Sequence, residues 1–196
     1  MAPLPDSRLA AQIPFDIVIG IWVLLELRVR LRSSLNRHGA RLERGLLVVL
    51  ASIYVGVGGG FVLAEKVHAA AIAEGRWPQF VLGMVLMCAG IAIRQWAVAL
   101  LGELFTTDVR VHPGQSVVER GPYRWVRHPS YAGLILTFVG IGLALGNWAA
   151  LMVLALLHTA GLVVRIRFEE RALLDGLGEP YRRFAASRPH LFPGVW

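Results

Sequence analysis

Five long apolar runs, separated by connections that carry arginine, constrain this chain more than any other feature. They cover about residues 13–31, 45–64, 80–101, 131–145 and 148–164. A helix needs about 20 mostly apolar residues to cross a bilayer. With 56% hydrophobic and 17% charged residues, the chain is also too apolar for an ordinary soluble domain, in which about a quarter of the residues are charged. We therefore predict an all-α integral membrane protein with about five transmembrane helices.

The runs are not equivalent. The first is the poorest, because Asp16 and Glu26 interrupt it, and the third carries Arg94 near its end. In the second run, Gly56 and Gly60 form a small-xxx-small pair that permits close contact between helices. The last two runs are each short for a full crossing, and the turn at residues 146–147 is so short that they must run antiparallel. We predict that these two form a tight helical hairpin.

The tail after the hairpin is predicted to be helical. One helix spans about residues 164–177 and ends at Gly178 as a left-handed cap, and a second short helix begins at Glu179-Pro180. We treat residues 1–196 as a single domain. Residues 1–101 supply three N-terminal spans, and residues 102–196 carry the hairpin and the tail.

Charge predicts how the chain lies in the membrane. The net charge is +7, and Lys66 is the only lysine. The arginines flank apolar spans and do not form one stripe, so we expect contact with membrane lipids and no nucleic acid. Arginine concentrates in the first and third connections and in the tail. The positive-inside rule then places the N-terminus outside and the tail in the cytoplasm, and the plasma membrane of a bacterium is the expected location.

Polar residues at the mouths of two helices indicate a site. Arg127-His128-Pro129-Ser130-Tyr131 leads into the fourth run, and Arg165 and Glu169 lie where the fifth run ends. Polar groups beside hydrocarbon are costly and usually functional. The proline after His128 holds that residue extended, while Arg165 and Glu169 share a helical face and can pair. The alternatives are that Ser130 only caps the helix, and that the Arg165–Glu169 pair is a surface ion pair.

These motifs have a family resemblance. Arg-His-Pro-Ser-Tyr-x-Gly, two apolar spans, Arg-x-x-x-Glu-Glu-x-x-Leu and Gly-x-x-Tyr together resemble the isoprenylcysteine carboxyl methyltransferases and their bacterial relatives, over roughly residues 94–193. The resemblance implies methyl transfer from S-adenosylmethionine at a membrane surface, with residues 102–196 as the cofactor-binding catalytic core. It implies that Glu169 and Arg165 are catalytic, that Arg165 and Arg94 face the methyl acceptor, and that the cofactor contacts are Gln115, Ser116, Val117, Val118, Tyr123, His128, Pro129, Ser130, Tyr131, Glu169 and Glu170.

The acceptor is expected to reach the site from the bilayer, because the chain has long spans and no soluble substrate domain. Carboxyl O-methylation of an isoprenylcysteine-like substrate is the leading interpretation. N-methylation of a phospholipid or other amine and S-methylation of a thiol remain open, and a nicotinamide-dependent membrane reductase or a non-catalytic scaffold are weaker alternatives. A metal site is not expected, because no His or Cys cluster has ligand spacing. We expect a monomer.

Overall fold

The computed structural model describes residues 5–35, 44–72, 76–105 and 115–192, which are helical and contain no strand. The predicted all-α membrane architecture is confirmed. Four helices are long and apolar enough to cross a membrane, and the fourth in chain order is apolar but shorter. The helices are α1 (Pro5–Leu35), α2 (Arg44–Lys66), α3 (Arg76–Leu101), α4 (Pro129–Ala144), α5 (Trp148–Leu177) and the short α6 (Glu179–Ala186).

Glycines allow α3 and α4 to pack closely against each other. Gly83 and Gly90 of α3 lie seven residues apart, as do Gly133 and Gly140 of α4. A Cβ atom on Gly90 would lie 2.5 Å from the Gly133 carbonyl oxygen, and one on Gly133 would lie 2.6 Å from the Gly90 oxygen. Gly83 and Gly140 are related in the same reciprocal way, at 2.7 and 2.6 Å. The two backbones therefore touch at two levels along an antiparallel pair.

A second close contact joins α2 and α5. A Cβ atom on Gly56 would meet the His158 ring at 2.5 Å, and one on Gly60 would meet Leu154 at 2.9 Å. Both α5 residues are buried. The close contact predicted for Gly56 and Gly60 is confirmed, since each glycine makes room for a large side chain of the facing helix.

The α4–α5 hairpin is anchored at its tip. The Asn147 side-chain oxygen accepts a hydrogen bond from the Ala150 amide at 3.1 Å and caps α5. The Asn147 amide group donates to the Val67 carbonyl at 2.9 Å, and the Ile72 amide donates to the Gly146 carbonyl, also at 2.9 Å. The tip therefore lies beside the connection between α2 and α3, where those longer helices end and begin.

Two details differ from the sequence-based expectation. The fifth apolar run and the tail helix predicted over about residues 164–177 are one helix, because α5 continues without interruption to Leu177; no proline falls between Trp148 and Leu177 to end it. Gly178 does have a positive φ of 61°, but its ψ of −131° is not left-handed helical. The predicted second helix is present as α6, and its Tyr181 and Phe184 are buried.

Candidate active site

A cavity of about 880 Å³, counted with its open mouth, lies where α5 and α6 meet the segment before α4. Most of the residues predicted to contact a cofactor line it. Among the described residues, the lining consists of Leu101, Leu104, Phe105, Gln115, Ser116, Val117, Val118, Tyr123, Arg127, His128, Ser130, Tyr131, Arg165, Glu169, Leu173, Leu177, Tyr181 and Phe184.

One stripe of α5 faces the cavity. Arg165, Glu169, Leu173 and Leu177 follow each other at four-residue intervals and all line it. With about 3.6 residues per turn, such residues lie almost above one another on a helix. Glu170 is rotated by about 100° from Glu169 and is not part of the lining. The α5 helix thus presents one cation, one carboxylate and two apolar side chains to the cavity.

Tyr131 positions the carboxylate of this stripe. Its hydroxyl donates a hydrogen bond to Glu169 Oε2 at 2.7 Å. The Tyr131 side chain also interacts electrostatically with Arg165, which is only 4% exposed. The α4 and α5 helices therefore meet at a polar cluster on the wall of the cavity.

Glu170 is the centre of a hydrogen-bond network beside the cavity. Its Oε1 accepts from the Tyr181 hydroxyl at 2.8 Å and from His128 Nε2 at 2.7 Å, and its Oε2 accepts from Arg127 at 2.6 Å. An ionised carboxylate only accepts hydrogen bonds, so Nε2 of His128 carries the proton. Burial, reinforced by the charge of Glu170, raises the pKa of Tyr181 above its ordinary value. Tyr181 thus stays a hydrogen-bond donor.

The chain near the C-terminus holds the Arg-His-Pro segment. The Arg127 amide donates to the Pro189 carbonyl at 2.9 Å, and the His128 amide donates to the His190 carbonyl at 2.8 Å. His128 is the N-cap residue of α4 and makes no side-chain capping bond. The alternative in which Ser130 caps the helix is wrong: its hydroxyl accepts a hydrogen bond from Arg94 at 2.7 Å.

Arg94 forms a buried ion pair with Glu26 of α1. Arg94 Nε donates to Glu26 Oε1, and Arg94 Nη2 donates to Oε2 at 2.7 Å. The two side chains are 9% and 13% exposed. The pair explains why an acidic residue interrupts the first apolar run, because a charge inside a membrane is stabilised by an opposite charge. Arg94 therefore does not extend to the membrane surface.

A second, mostly apolar cleft opens between α1 and α2 and reaches the first cavity. Leu27 and Tyr54, at the sides of this cleft, are 50% and 71% exposed. Both lie on the outer surface of the apolar spans. The inner end of the cleft shares Phe105, Tyr131 and Arg165 with the first cavity. The described residues lining it are Trp22, Val23, Glu26, Leu27, Val29, Arg30, Val49, Leu50, Ile53, Tyr54, Val57, Gly58, Arg94, Phe105, Tyr131, Leu134 and Arg165.

The structure brings together ten of the predicted site residues around the first cavity: Gln115, Ser116, Val117, Val118, Tyr123, His128, Ser130, Tyr131, Arg165 and Glu169. Pro129 and Glu170 lie outside its lining, and Arg94 lines the apolar cleft instead.

Sequence reasoning missed several lining residues. Leu173 and Leu177 could have been found by extending the four-residue spacing from Glu169. The three-residue spacing of Tyr181 and Phe184 on α6 is a similar signal. Phe105 has no local signal, because its position depends on how α3 ends.

The isoprenylcysteine carboxyl methyltransferase (ICMT) family matches residues 81–175. This range includes most of α3, the Arg-His-Pro segment, all of α4 and most of α5. The chain is therefore similar to this family over about half of its length. The part of the chain matched by the family carries both the Arg-His-Pro segment and the polar stripe of α5.

Individual relatives agree with this similarity. A probable protein-S-isoprenylcysteine O-methyltransferase of Oryza sativa subsp. indica is 28% identical over 153 residues, which cover 76% of this chain and 80% of that protein. The uncharacterized protein YpbQ of Bacillus subtilis is 36% identical over 95 residues, or 48% of this chain and 56% of YpbQ. The methanethiol S-methyltransferase of Mycobacterium tuberculosis is 38% identical over 77 residues, or 36% of this chain and 28% of that enzyme.

The fold is shared with a solved family structure. The eukaryotic intramembrane Ras methyltransferase ICMT superposes with a TM-score of 0.62 at 22% identity, over 74% of this chain and 52% of that one. The chain thus spans about half the length of this structure and of YpbQ.

Proposed function

We propose that this chain is a membrane methyltransferase that moves a methyl group from S-adenosylmethionine to a lipophilic carboxylic acid, by carboxyl O-methylation of an isoprenylcysteine-like molecule. The observation that carries the proposal is the meeting of two cavities at one wall. A cavity with polar groups at its wall and an apolar cleft share Phe105, Tyr131 and Arg165. We assign the donor to the first and the acceptor to the second, so that the reacting groups meet at this wall.

The lining of the donor cavity suits S-adenosylmethionine, which carries an ammonium group, a carboxylate, a ribose diol and a flat adenine. Glu169 offers a carboxylate for the ammonium group or the ribose. Gln115 and Ser116 offer polar side chains, and Leu173 and Phe184 offer apolar surface for a flat ring. When bound, this cofactor supplies a methyl group on a sulfonium, which an anion can accept without further activation.

The residues around the cavity orient this donor. The Tyr131 hydrogen bond fixes the Glu169 carboxylate at the wall. Glu170 holds Arg127 and His128 in place, which keeps the extended segment before α4 in position. Holding two reactants in line can supply much of the rate of such a displacement.

Arg165 is assigned to the acceptor. Arg94 is bound to Glu26 and Ser130, whereas Arg165 borders both cavities. A guanidinium presents a planar fork that matches the two oxygens of a carboxylate. A carboxylic acid is already ionised at neutral pH, so the proposed reaction needs no general base. We propose that the wall faces the cytoplasm, because the positive-inside rule predicts the arginine-rich connections on that side.

A thiol is the second candidate acceptor. It is favoured by the similarity of 77 residues to the methanethiol S-methyltransferase of Mycobacterium tuberculosis. A thiol is mostly protonated at neutral pH and would gain from a base. The apolar cleft and the position of Arg165 favour the lipophilic acid over a small thiol.

Binding and turnover of the purified protein in detergent test the proposal. We expect saturable binding of radiolabelled S-adenosylmethionine that NADPH does not displace. We also expect methyl transfer to an S-farnesylated N-acylcysteine and none to an alkanethiol. Binding of NADPH alone would indicate a reductase, binding of neither would indicate a scaffold, and turnover of the thiol alone would select S-methylation.

A further inference from the structure

We propose that a groove between α1 and α3 binds the headgroup of an anionic phospholipid. This groove measures about 1420 Å³ with its open side; it shares Phe105 with both cavities and Val29 with the apolar cleft. Its polar lining among the described residues is Arg28, Arg32, Ser33, Gln95 and Glu103. The proposal does not depend on the proposed methyl transfer.

Two arginines form the outer edge of the groove. Arg28 and Arg32 lie one turn apart on α1, about 6 Å along the axis, and both are exposed. In the part of the chain that the structure describes, neither forms an ion pair. Two guanidinium groups at this spacing can hold a phosphate with charge-assisted hydrogen bonds. Basic pockets of this kind between transmembrane helices bind lipid headgroups.

The rest of the groove indicates a lipid and not a soluble phosphate. The Arg94–Glu26 pair fixes how α1 lies against α3. Moving from Arg32 towards the membrane interior, the lining becomes apolar at Val29, Leu25 and Val98. Apolar walls that continue from a phosphate site into the membrane can cover the start of an acyl chain.

The Gln95 side chain supplies a hydrogen-bond donor at the level of the ester groups of a lipid. Gln95 follows Arg94, and Arg94 pairs with Glu26, which precedes Arg28 and Arg32 on α1. Gln95 therefore lies deeper in the membrane than Arg28 and Arg32. Its side-chain nitrogen is buried and has no hydrogen-bond partner. Buried donors are nearly always satisfied in folded proteins. A rotation of the half-buried Gln95 side chain into the groove would let an ester carbonyl of the bound lipid accept this hydrogen bond.

Charge selects among phospholipids. Two arginines and Glu103 give the groove a net charge of +1, which complements a lipid of net charge −1. Glu103 can also accept hydrogen bonds from headgroup hydroxyls. Phosphatidylglycerol combines both properties, whereas phosphatidylcholine is neutral overall and has no headgroup hydrogen-bond donor.

Native mass spectrometry of the full chain in detergent, titrated with phosphatidylglycerol or phosphatidylcholine, tests the site. We expect one tightly bound phosphatidylglycerol, which the double variant Arg28→Gln/Arg32→Gln holds about 30-fold more weakly, since each interfacial arginine contributes about a factor of five. The matched control is Arg167→Gln/Arg171→Gln, which removes two exposed arginines at the same spacing on α5. This control should bind the lipid like the wild type.

Four results would overturn the proposal. They are equal binding of phosphatidylcholine, equal loss in both double variants, unchanged affinity in Arg28→Gln/Arg32→Gln, and complete displacement by millimolar glycerol phosphate, which would indicate a soluble phosphate ligand. Gln95→Leu keeps the shape of the side chain and should weaken binding about fivefold, the effect of one hydrogen bond. An unchanged affinity in Gln95→Leu would exclude the ester contact.

Discussion

Glu169 and Glu170 are neighbours in the chain but face different surroundings. Glu169 lines the cavity and accepts one hydrogen bond from Tyr131. Glu170 lies about a quarter-turn away and is held by Arg127, His128 and Tyr181. The first carboxylate is placed to meet a ligand, and the second holds the segment before α4 in position.

Replacing each glutamate by glutamine separates these roles. We expect Glu169→Gln to weaken S-adenosylmethionine binding more than about tenfold, the effect of losing a charge-assisted contact of about 1.4 kcal/mol or more, while the melting temperature stays close to that of the wild type. Glu170→Gln should lower the melting temperature, since a buried network loses its charge. Calorimetry and thermal unfolding measure both. Cofactor affinity within about twofold of wild type in Glu169→Gln would contradict the assignment.

Arg165 is expected to act on the acceptor and not on the donor. Arg165→Ala should keep the affinity for S-adenosylmethionine and lose turnover of a lipophilic acid. Arg165→Lys should rescue turnover poorly, because an ammonium lacks the planar fork of a guanidinium. Isothermal titration and initial rates with an S-farnesylated N-acylcysteine measure the two effects. Full activity in the alanine variant would favour an N- or S-methyltransferase.

At the scale of single residues, the sequence predicted which residues line the cavity better than it predicted which side chains pair with each other. The Arg165–Glu169 spacing indicated two residues on one face, because helix geometry fixes which residues share a face, whereas the lining residues of the Arg-His-Pro segment followed from the family resemblance. The partner of Arg94 could not be predicted in this way. Glu26 lies 68 positions earlier, and only the packing of α1 against α3 selects it.

The contact between α3 and α4 requires glycine, because the two backbones leave no space for a side chain. At Gly90 and Gly133 each backbone occupies the space that a side chain would need on the other helix. This packing positions the site, because Arg94 follows Gly90 by one turn and Ser130 precedes Gly133 by nearly one. A shift of α4 would therefore move the Arg94–Ser130 contact and Tyr131 with it.

Gly90→Ala tests this contact. Its Cβ would lie 2.5 Å from the Gly133 carbonyl oxygen, and overpacking of this kind costs about 1–3 kcal/mol. Gly20→Ala in α1 is the control, since a Cβ there has no atom within 4 Å and should change stability by no more than about 1 kcal/mol. Thermal unfolding in detergent measures both variants. Equal melting temperatures would show that the helices separate at no cost.

The sequence predicted which helices form better than it predicted where they end. Apolar length gave the five spans because the cost of exposing backbone in lipid leaves helices as the main solution. The tail helix expected to begin near residue 164 is the last part of α5, because a change from apolar to charged side chains does not end a helix. A helix commonly ends at a proline, a glycine or a capping residue. The helix that begins at Trp148 ends at Gly178, its C-cap residue.

At the scale of the whole molecule, arginine and the candidate site lie at the same ends of the helices. The connection after α1, the segment before α4 and the end of α5 all carry arginine, and the last two help to line the first cavity. The hairpin tip at Asn147 lies at the opposite ends, beside the α2–α3 connection.

The predicted orientation can be tested by cysteine labelling. With the native Cys88 replaced by alanine, Pro5→Cys and Val195→Cys should react from opposite sides of the membrane, because the arginine bias alternates along the chain. Membrane-impermeant maleimide applied to intact cells and to inverted vesicles measures this. Labelling of both positions from the same side would reverse the assignment of one terminal segment.

The wall formed by Phe105, Tyr131 and Arg165 has a kinetic consequence. Under the proposed function, the donor reaches it from water and the acceptor reaches it from the lipid phase. The reaction rate then follows two different concentration scales, moles per litre for the donor and mole fraction in the bilayer for the acceptor. Diluting a fixed amount of acceptor with inert lipid would slow turnover, whereas enlarging the aqueous volume at a fixed donor concentration would not.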